Sequence, residues 1–176
     1  PGEQGEDRAG LPPVDAVKGV ALFKAAAEKG DGEAAFLMGV AHLSGVGAIK
    51  DDTEAMTWFI RSATQGNVPA QFWVGQMTAK GRGVTADWKA ALPYFQKAAE
   101  GGWILAFSEL GYAYETGLGI EQDYQKAAFC YRQQPHAAVA QYNLRKLIDD
   151  GHVPWQSGDP GAAPDMSKQI RTPAQP

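Results

Sequence analysis

The amino-acid sequence predicts an all-α protein, a solenoid of antiparallel helix pairs. Two observations carry this. The first is a 36-residue period. Gly39, Gly75 and Gly111 share one phase; Gly45, Gly81 and Gly117 a second; Gly47, Gly83 and Gly119 a third. Ala34, Ala70 and Ala106 precede them, and Asp51, Asp87 and Asp123 follow. Ala55, Ala91 and Ala127 come next, then the aromatics Phe59, Phe95 and Tyr131. Self-similarity at a period of this size marks a repeat array, in which each unit buries its apolar face against its neighbours. The second is that each period holds two stretches of helical spacing. Ala70, Val74 and Met77 form one, and Ala91, Phe95, Ala98 and Ala99 the other.

The elements follow in order. Residues 1–13 are polar and read as a flexible lead-in. At Asp15 the repeat phase starts midway, so the first unit is only a second-type helix over 15–29. Three spans follow at 31–66, 67–102 and 103–137, the last shortened at its end. A closing first-type helix runs over 138–150. The solenoid therefore covers 14–152, and 153–176 is a Pro/Gly-rich tail that reads as disordered or draped. The whole reads as seven helices with short joints.

Within a unit, the first helix should break at the Gly-x-Gly segment, where positive φ suits glycine. The residue after it (Ala48, Val84 or Ile120) is expected to plug the gap between the helices. Asp51, Asp87 and Asp123 should cap the second helix through its free amides. Gly30, Gly66 and Gly102 should close it. Pro69 falls where a first-turn proline is tolerated. Glycine inside a helix costs about 1 kcal/mol against alanine, so Gly39, Gly75 and Gly111 imply close helix approach. Ala55, Ala91 and Ala127 are the expected facing residues.

Composition sets bounds. In 176 residues, 44% are apolar, enough for a core, and the formal net charge is −4. That balance offers no basic stripe for nucleic acid, and no apolar run reaches the length of a membrane span. No leader is visible. Cys130 is the single cysteine, which excludes an internal disulfide. It shares a phase with Trp58 and Tyr94 and reads as a packed thiol.

These motifs resemble the Sel1-like repeat, a relative of the tetratricopeptide repeat. The second unit carries Ala70 to Gly75, Gly81-Arg82-Gly83-Val84, Asp87, Ala91, Tyr94-Phe95 and Lys97-Ala98-Ala99. The third carries Leu110-Gly111, Gly117-Leu118-Gly119-Ile120, Asp123-Tyr124 and Lys126-Ala127-Ala128. The last helix opens with Ala140-Gln141-Tyr142-Asn143-Leu144. The resemblance covers about 15–150. It departs from the pattern at His42 and Thr78, where tyrosine is usual, at Ser108, where an aromatic is usual, and at Arg145, where the helix glycine is missing. It implies a right-handed α-α superhelix whose first helices line a concave face. It also implies scaffold and adaptor roles, in bacteria in envelope assembly, exopolysaccharide regulation, signalling, host interaction or immunity against toxic effectors.

No catalytic constellation emerges. His42, His136 and His152 fit no metal-ligand spacing. Gly81-Arg82-Gly83 lacks a third glycine and follows a helix, so it is turn geometry rather than a dinucleotide loop. Asp51-Asp52 and Asp149-Asp150 are helix-end charges, and no Gly-x-Ser-x-Gly elbow occurs. The expectation is no enzyme, no metal and no cofactor.

Variation inside a repeat marks positions the fold does not dictate, where partner contacts can be encoded. Trp73 stands in phase with Leu37, Glu109 and Asn143. Val40, Gln76 and Tyr112 vary one turn on, and Leu43, Ala79 and Glu115 beyond. The candidate partner-binding residues are Phe36, Val40, Phe72, Trp73, Gln76, Lys80, Tyr112, Glu115 and Tyr142. Packing on the adjacent repeat is the competing reading for each. The function expected is that of an adaptor or regulatory scaffold holding a protein or peptide in a groove, as a monomer in the bacterial periplasm. The alternative is an immunity protein against a secreted effector such as a phospholipase.

Overall fold

Capping chemistry sets where the helices begin. A computed structural model describes residues 14–161, so the lead-in 1–13 and the tail beyond Gly161 lie outside the described residues. Among the described residues there are eight helices and no strand: α1 (Val14–Glu28), α2 (Gly32–Ser44), α3 (Asp52–Thr64), α4 (Val68–Lys80), α5 (Trp88–Glu100), α6 (Leu105–Thr116), α7 (Tyr124–Arg132) and α8 (Ala138–Asp149). This is one more than the seven expected. A half repeat, three pairs and a closing helix already make eight.

Asp31 precedes α2 and accepts from the amides of Glu33 and Ala34 at 3.0 Å each. Asn67 does the same for α4 through Ala70 at 2.9 Å. Asp51, Asp87 and Asp123 cap α3, α5 and α7 from extended backbone, with φ of −153°, −149° and −150°. Each carboxylate answers amides that have no partner within the helix and meets the positive end of the helix dipole. α8 starts at Ala137 without a side-chain cap.

The Gly-x-Gly joint has two distinct jobs. Its first glycine ends the helix in left-handed geometry, as Gly81 does at φ 70° with its amide on the Met77 carbonyl. Its second lets the joint lie against the preceding repeat. A Cβ on Gly83 (φ 72°) would run into the carbonyl of Asp52, and one on Gly47 would stand 2.5 Å from the carbonyl of Ala16. Ala16 and Asp52 are one period apart. Joint and preceding second helix thus meet backbone to backbone, and any side chain would separate them. Of the residues after the joint, Val84 is 40% exposed and does not plug the helix pair as expected, while Ala48 and Ile120 are half-buried.

The nearest neighbours of the helix glycines are the aromatic rings of the partner helix. A Cβ on Gly39, Gly75 or Gly111 would stand 2.5, 2.8 or 2.5 Å from Phe59, Phe95 or Tyr131. Each first helix therefore carries a notch, and its partner helix fills the notch with an aromatic ring. All three rings are fully buried, as are the three alanines. A buried ring of this size contributes about 1.5–3 kcal/mol over an exposed one, more than the propensity lost at glycine.

The described chain forms two compact units that divide between Ala106 and Phe107, in the first turn of α6. In the first, α2 packs with α3 and α4 with α5, while α1 covers α2 and α3 covers α4. Its core holds Ala27, Ala35 and Met38 in one cluster and Ala55, Phe59, Ala70, Val74 and Met77 in another. In the second unit α7 and α8 share a core of Ala127, Tyr131, Leu144, Leu147 and Ile148.

Candidate functional site

In the first unit the variable phases of α2 and α4 build an aromatic seam around Phe59. Trp73 stacks on that ring, with centroids 5.9 Å apart and planes 9° from parallel. Phe36 tilts against it at 5.7 Å. Both are half-buried, as are Val40 and Leu43, which pack on the same cluster. Gln76 is half-buried and Lys80 is exposed. Phe72 goes inward instead. It is 8% exposed and lies 6.3 Å from Trp73, 6.0 Å from Phe95 and 5.9 Å from Trp103. Its ring serves packing first.

In the second unit the three candidates divide by exposure. Tyr142 on α8 is 70% exposed and Tyr112 on α6 is 44% exposed. Glu115 turns inward. Its carboxylate accepts the Tyr131 hydroxyl at 2.7 Å and lies 3.8 Å from the Lys146 ammonium. Burial, reinforced by this carboxylate, raises the Tyr131 phenol above its ordinary range and keeps it protonated. Beside Glu115 opens a polar surface cavity of about 340 Å³, with Gln122, Tyr124, Lys146, Asp150 and His152 among its walls. The His152 ring stacks on Tyr124 at 3.9 Å.

These surfaces present apolar and hydrogen-bonding groups. Cys130 is buried, and burial pushes its thiol up to about 11, so little thiolate forms at neutral pH. The His42 ring makes a local contact, Nδ1 to the Ile49 carbonyl at 3.1 Å. Among the described residues no group of three or more His, Cys, Asp or Glu is placed to hold a metal ion. No helix among them is long and apolar enough to cross a membrane.

A scan against protein-family models matches the Sel1 repeat at residues 3–31, 32–67, 68–103 and 108–133, well over half the chain. The chain belongs to the Sel1 repeat family. Its helix pairs are Sel1 repeats, and the notch-and-ring packing described above is what the repeated glycines and aromatics of this chain encode. Two crystal structures are similar to it. One is a protective antigen present in uropathogenic Escherichia coli strains and displaying an SLR fold, 30% identical over 80% of this chain and 30% of that one, TM-score 0.75. The other is a Sel1 repeat protein from Oxalobacter formigenes, 28% identical over 80% of this chain and 59% of that one, TM-score 0.75. The chain thus spans less than two thirds of either relative. No curated protein matches it. Sel1 repeat proteins are generally protein–protein interaction scaffolds and typically non-enzymatic.

Sequence reasoning missed the polar cavity in this Sel1 protein, and a signal for it existed. The third span is two residues short, so α8 aligns with α6 at an offset of 34, pairing Lys146 with Tyr112 and His152 with Leu118. The earlier repeats place Gln76 and Val40 at the Lys146 phase and Arg82 and Val46 at the His152 phase, so lysine and histidine occur there only in the last unit.

Proposed function

We propose that this Sel1 protein is an adaptor that binds a protein or peptide segment through the exposed faces of its first-type helices. One observation carries the reading. Large side chains remain accessible on these helices, Trp73 and Tyr112 at phases where the repeats disagree and Phe36 and Tyr142 at the aromatic phase: Trp73 and Phe36 are half-buried, Tyr112 and Tyr142 exposed. Aromatics held rigid on one side and open on the other are the groups that dominate binding energy at interfaces. A helical or extended segment fits such a surface. Both solved relatives come from bacteria, which supports a bacterial setting; the periplasm is our proposed compartment.

The test is affinity capture from native extract of the source cells, followed by calorimetry on the captured partner. Trp73→Ala and Tyr142→Ala should each weaken binding by about 1–2 kcal/mol, the size expected when a hot-spot aromatic is truncated. Melting curves run alongside separate lost affinity from lost fold, which matters most for Trp73 because it stacks on Phe59. Unchanged affinity in both variants would remove the first-helix faces as the site. A single partner held very tightly, and itself a toxic effector, would replace the adaptor reading with an immunity one.

A further inference from the structure

The polar cavity of the second unit differs from the same place in the first. In the first unit, Arg82 of the joint after α4 reaches back to Asp52, the first residue of α3. It donates to the two carboxylate oxygens at 3.0 and 2.7 Å. A guanidinium on a carboxylate thus closes the gap between that joint and the preceding second helix. In the second unit, His152 after α8 holds the phase of Arg82, and Tyr124, the first residue of α7, holds that of Asp52. These two rings stack, with centroids 3.9 Å apart and planes 18° from parallel. No guanidinium lines the cavity of about 340 Å³ beside them.

A carboxylate is still present, supplied by another element. Glu115 of α6 is fixed from two sides. Gln122 donates to its main-chain carbonyl at 2.7 Å, and the Tyr131 hydroxyl donates to one carboxylate oxygen at 2.7 Å. The other oxygen, Oε1, receives no hydrogen bond among the described residues; the Lys146 ammonium stays 3.8 Å away, beyond hydrogen-bond reach. The side chain of Glu115 is only 15% exposed, that of Lys146 56%. A mostly buried carboxylate oxygen without a donor is costly, and Glu115 lines the cavity. Asp150 adds a second carboxylate, so the walls carry two carboxylates against one ammonium.

We infer that this cavity receives an arginine side chain of a partner segment. The inference rests on the peptide-binding reading above and adds the chemistry of one contact. A guanidinium offers donors to Oε1 of Glu115 and a flat, weakly hydrated face to the Tyr124–His152 pair. Ligand-sized cavities begin at about 300 Å³, so this one has room for a single long side chain. Lys146 is the internal competitor, and its flexible stem lets it move aside into the solvent that it already half occupies. An anionic guest would meet two carboxylates for one ammonium and is disfavoured.

The experiment titrates the full chain, followed by NMR, with a capped Gly-Arg-Gly peptide and with its citrulline counterpart, which keeps the shape and loses the charge. The arginine peptide should shift the signals of Glu115, Tyr124 and His152, and the citrulline peptide should bind about tenfold more weakly. Glu115→Gln still accepts from Tyr131 and should weaken the arginine peptide about tenfold, the size of one charge-assisted hydrogen bond. Lys146→Met should tighten it about threefold, because a half-exposed pair is worth little. An anion site would show both signs reversed, and that result overturns the inference. So does equal affinity for the two peptides, or the absence of shifts at the three residues. Free arginine that binds as tightly as the peptide would make this a small-molecule site and overturn the assignment to a partner segment. If circular dichroism shows Glu115→Gln unfolded, the exposed Asp150→Asn replaces it: it should weaken the arginine peptide about threefold, and unchanged affinity overturns the inference. Trp73→Ala and Tyr142→Ala report on the helix faces separately. A captured partner that depends on those two residues but ignores Glu115→Gln and Lys146→Met keeps the faces and removes the cavity.

Discussion

At the residue scale, the sharpest feature is the fit between helix glycine and ring. Replacing Gly75 with alanine brings two opposing effects. Helix propensity favours alanine by about 1 kcal/mol. Against that, the new methyl would sit 2.8 Å from the Phe95 ring, which is fully buried and has no open direction to move. Overpacking of this kind costs about 1–3 kcal/mol, so the net should be a loss. A double-mutant cycle isolates the contact: in a Phe95→Leu background, Gly75→Ala should cost markedly less, measured by denaturant unfolding. Additive losses would show that ring and glycine do not press on one another. Much of this was legible in the sequence. The recurrence of Gly39, Gly75 and Gly111 announced a close approach, but not what approached. Spacing along one helix says nothing about which phase of the other lies opposite, so the alanines were as plausible as the rings. Phe72 was illegible for a similar reason. Its inward turn depends on Trp103, which belongs to the next span.

At the scale of elements, the ends of the helices were the most legible part. Asp51, Asp87 and Asp123 cap because a short carboxylate at that position can reach free amides wherever the helix goes, a local property that needs no tertiary knowledge. The segment 153–161 was the least legible. Its composition of Gly, Pro, Ser and Asp reads as loose chain, and its anchoring depends on Arg132, 27 residues earlier. That anchor should respond to acid. The hydrogen bond from Arg132, assisted by the Gln156 amide, holds the Asp159 carboxyl below its ordinary value of 3.8. A carboxyl whose folded value is depressed contributes stability that is fully present above its unfolded value. The contribution fades as pH falls through the folded one. Protection of the Val153 and Asp159 amides, read by hydrogen exchange corrected for intrinsic rate, should therefore be constant above about pH 5 and decline below pH ~4. It should do so in steps with Trp155 fluorescence. A decline that begins at neutral pH would point to a group other than Asp159 as the anchor.

At the scale of the whole molecule, the question is how far a local perturbation travels. Repeat arrays hold together by contacts between neighbours, so stability is roughly a sum of unit and interface terms rather than a single all-or-none quantity. The chain divides into two compact units, and the clusters around Phe59 and around Tyr131 share no member. The Gly75 notch belongs to the first unit and the Gly111 notch to the second. Gly75→Ala should then lower exchange protection mainly in α2–α5, and Gly111→Ala mainly in α6–α8. The magnitudes should follow the rings involved. Tyr131 adds a hydroxyl bonded to Glu115, and displacing it leaves a carboxylate short of a donor, so the Gly111 change should cost about 1 kcal/mol more. Native-state hydrogen exchange on both variants measures location and size together. Equal loss of protection throughout the chain, in either variant, would mean that the protein unfolds as one cooperative block despite its repeating sequence.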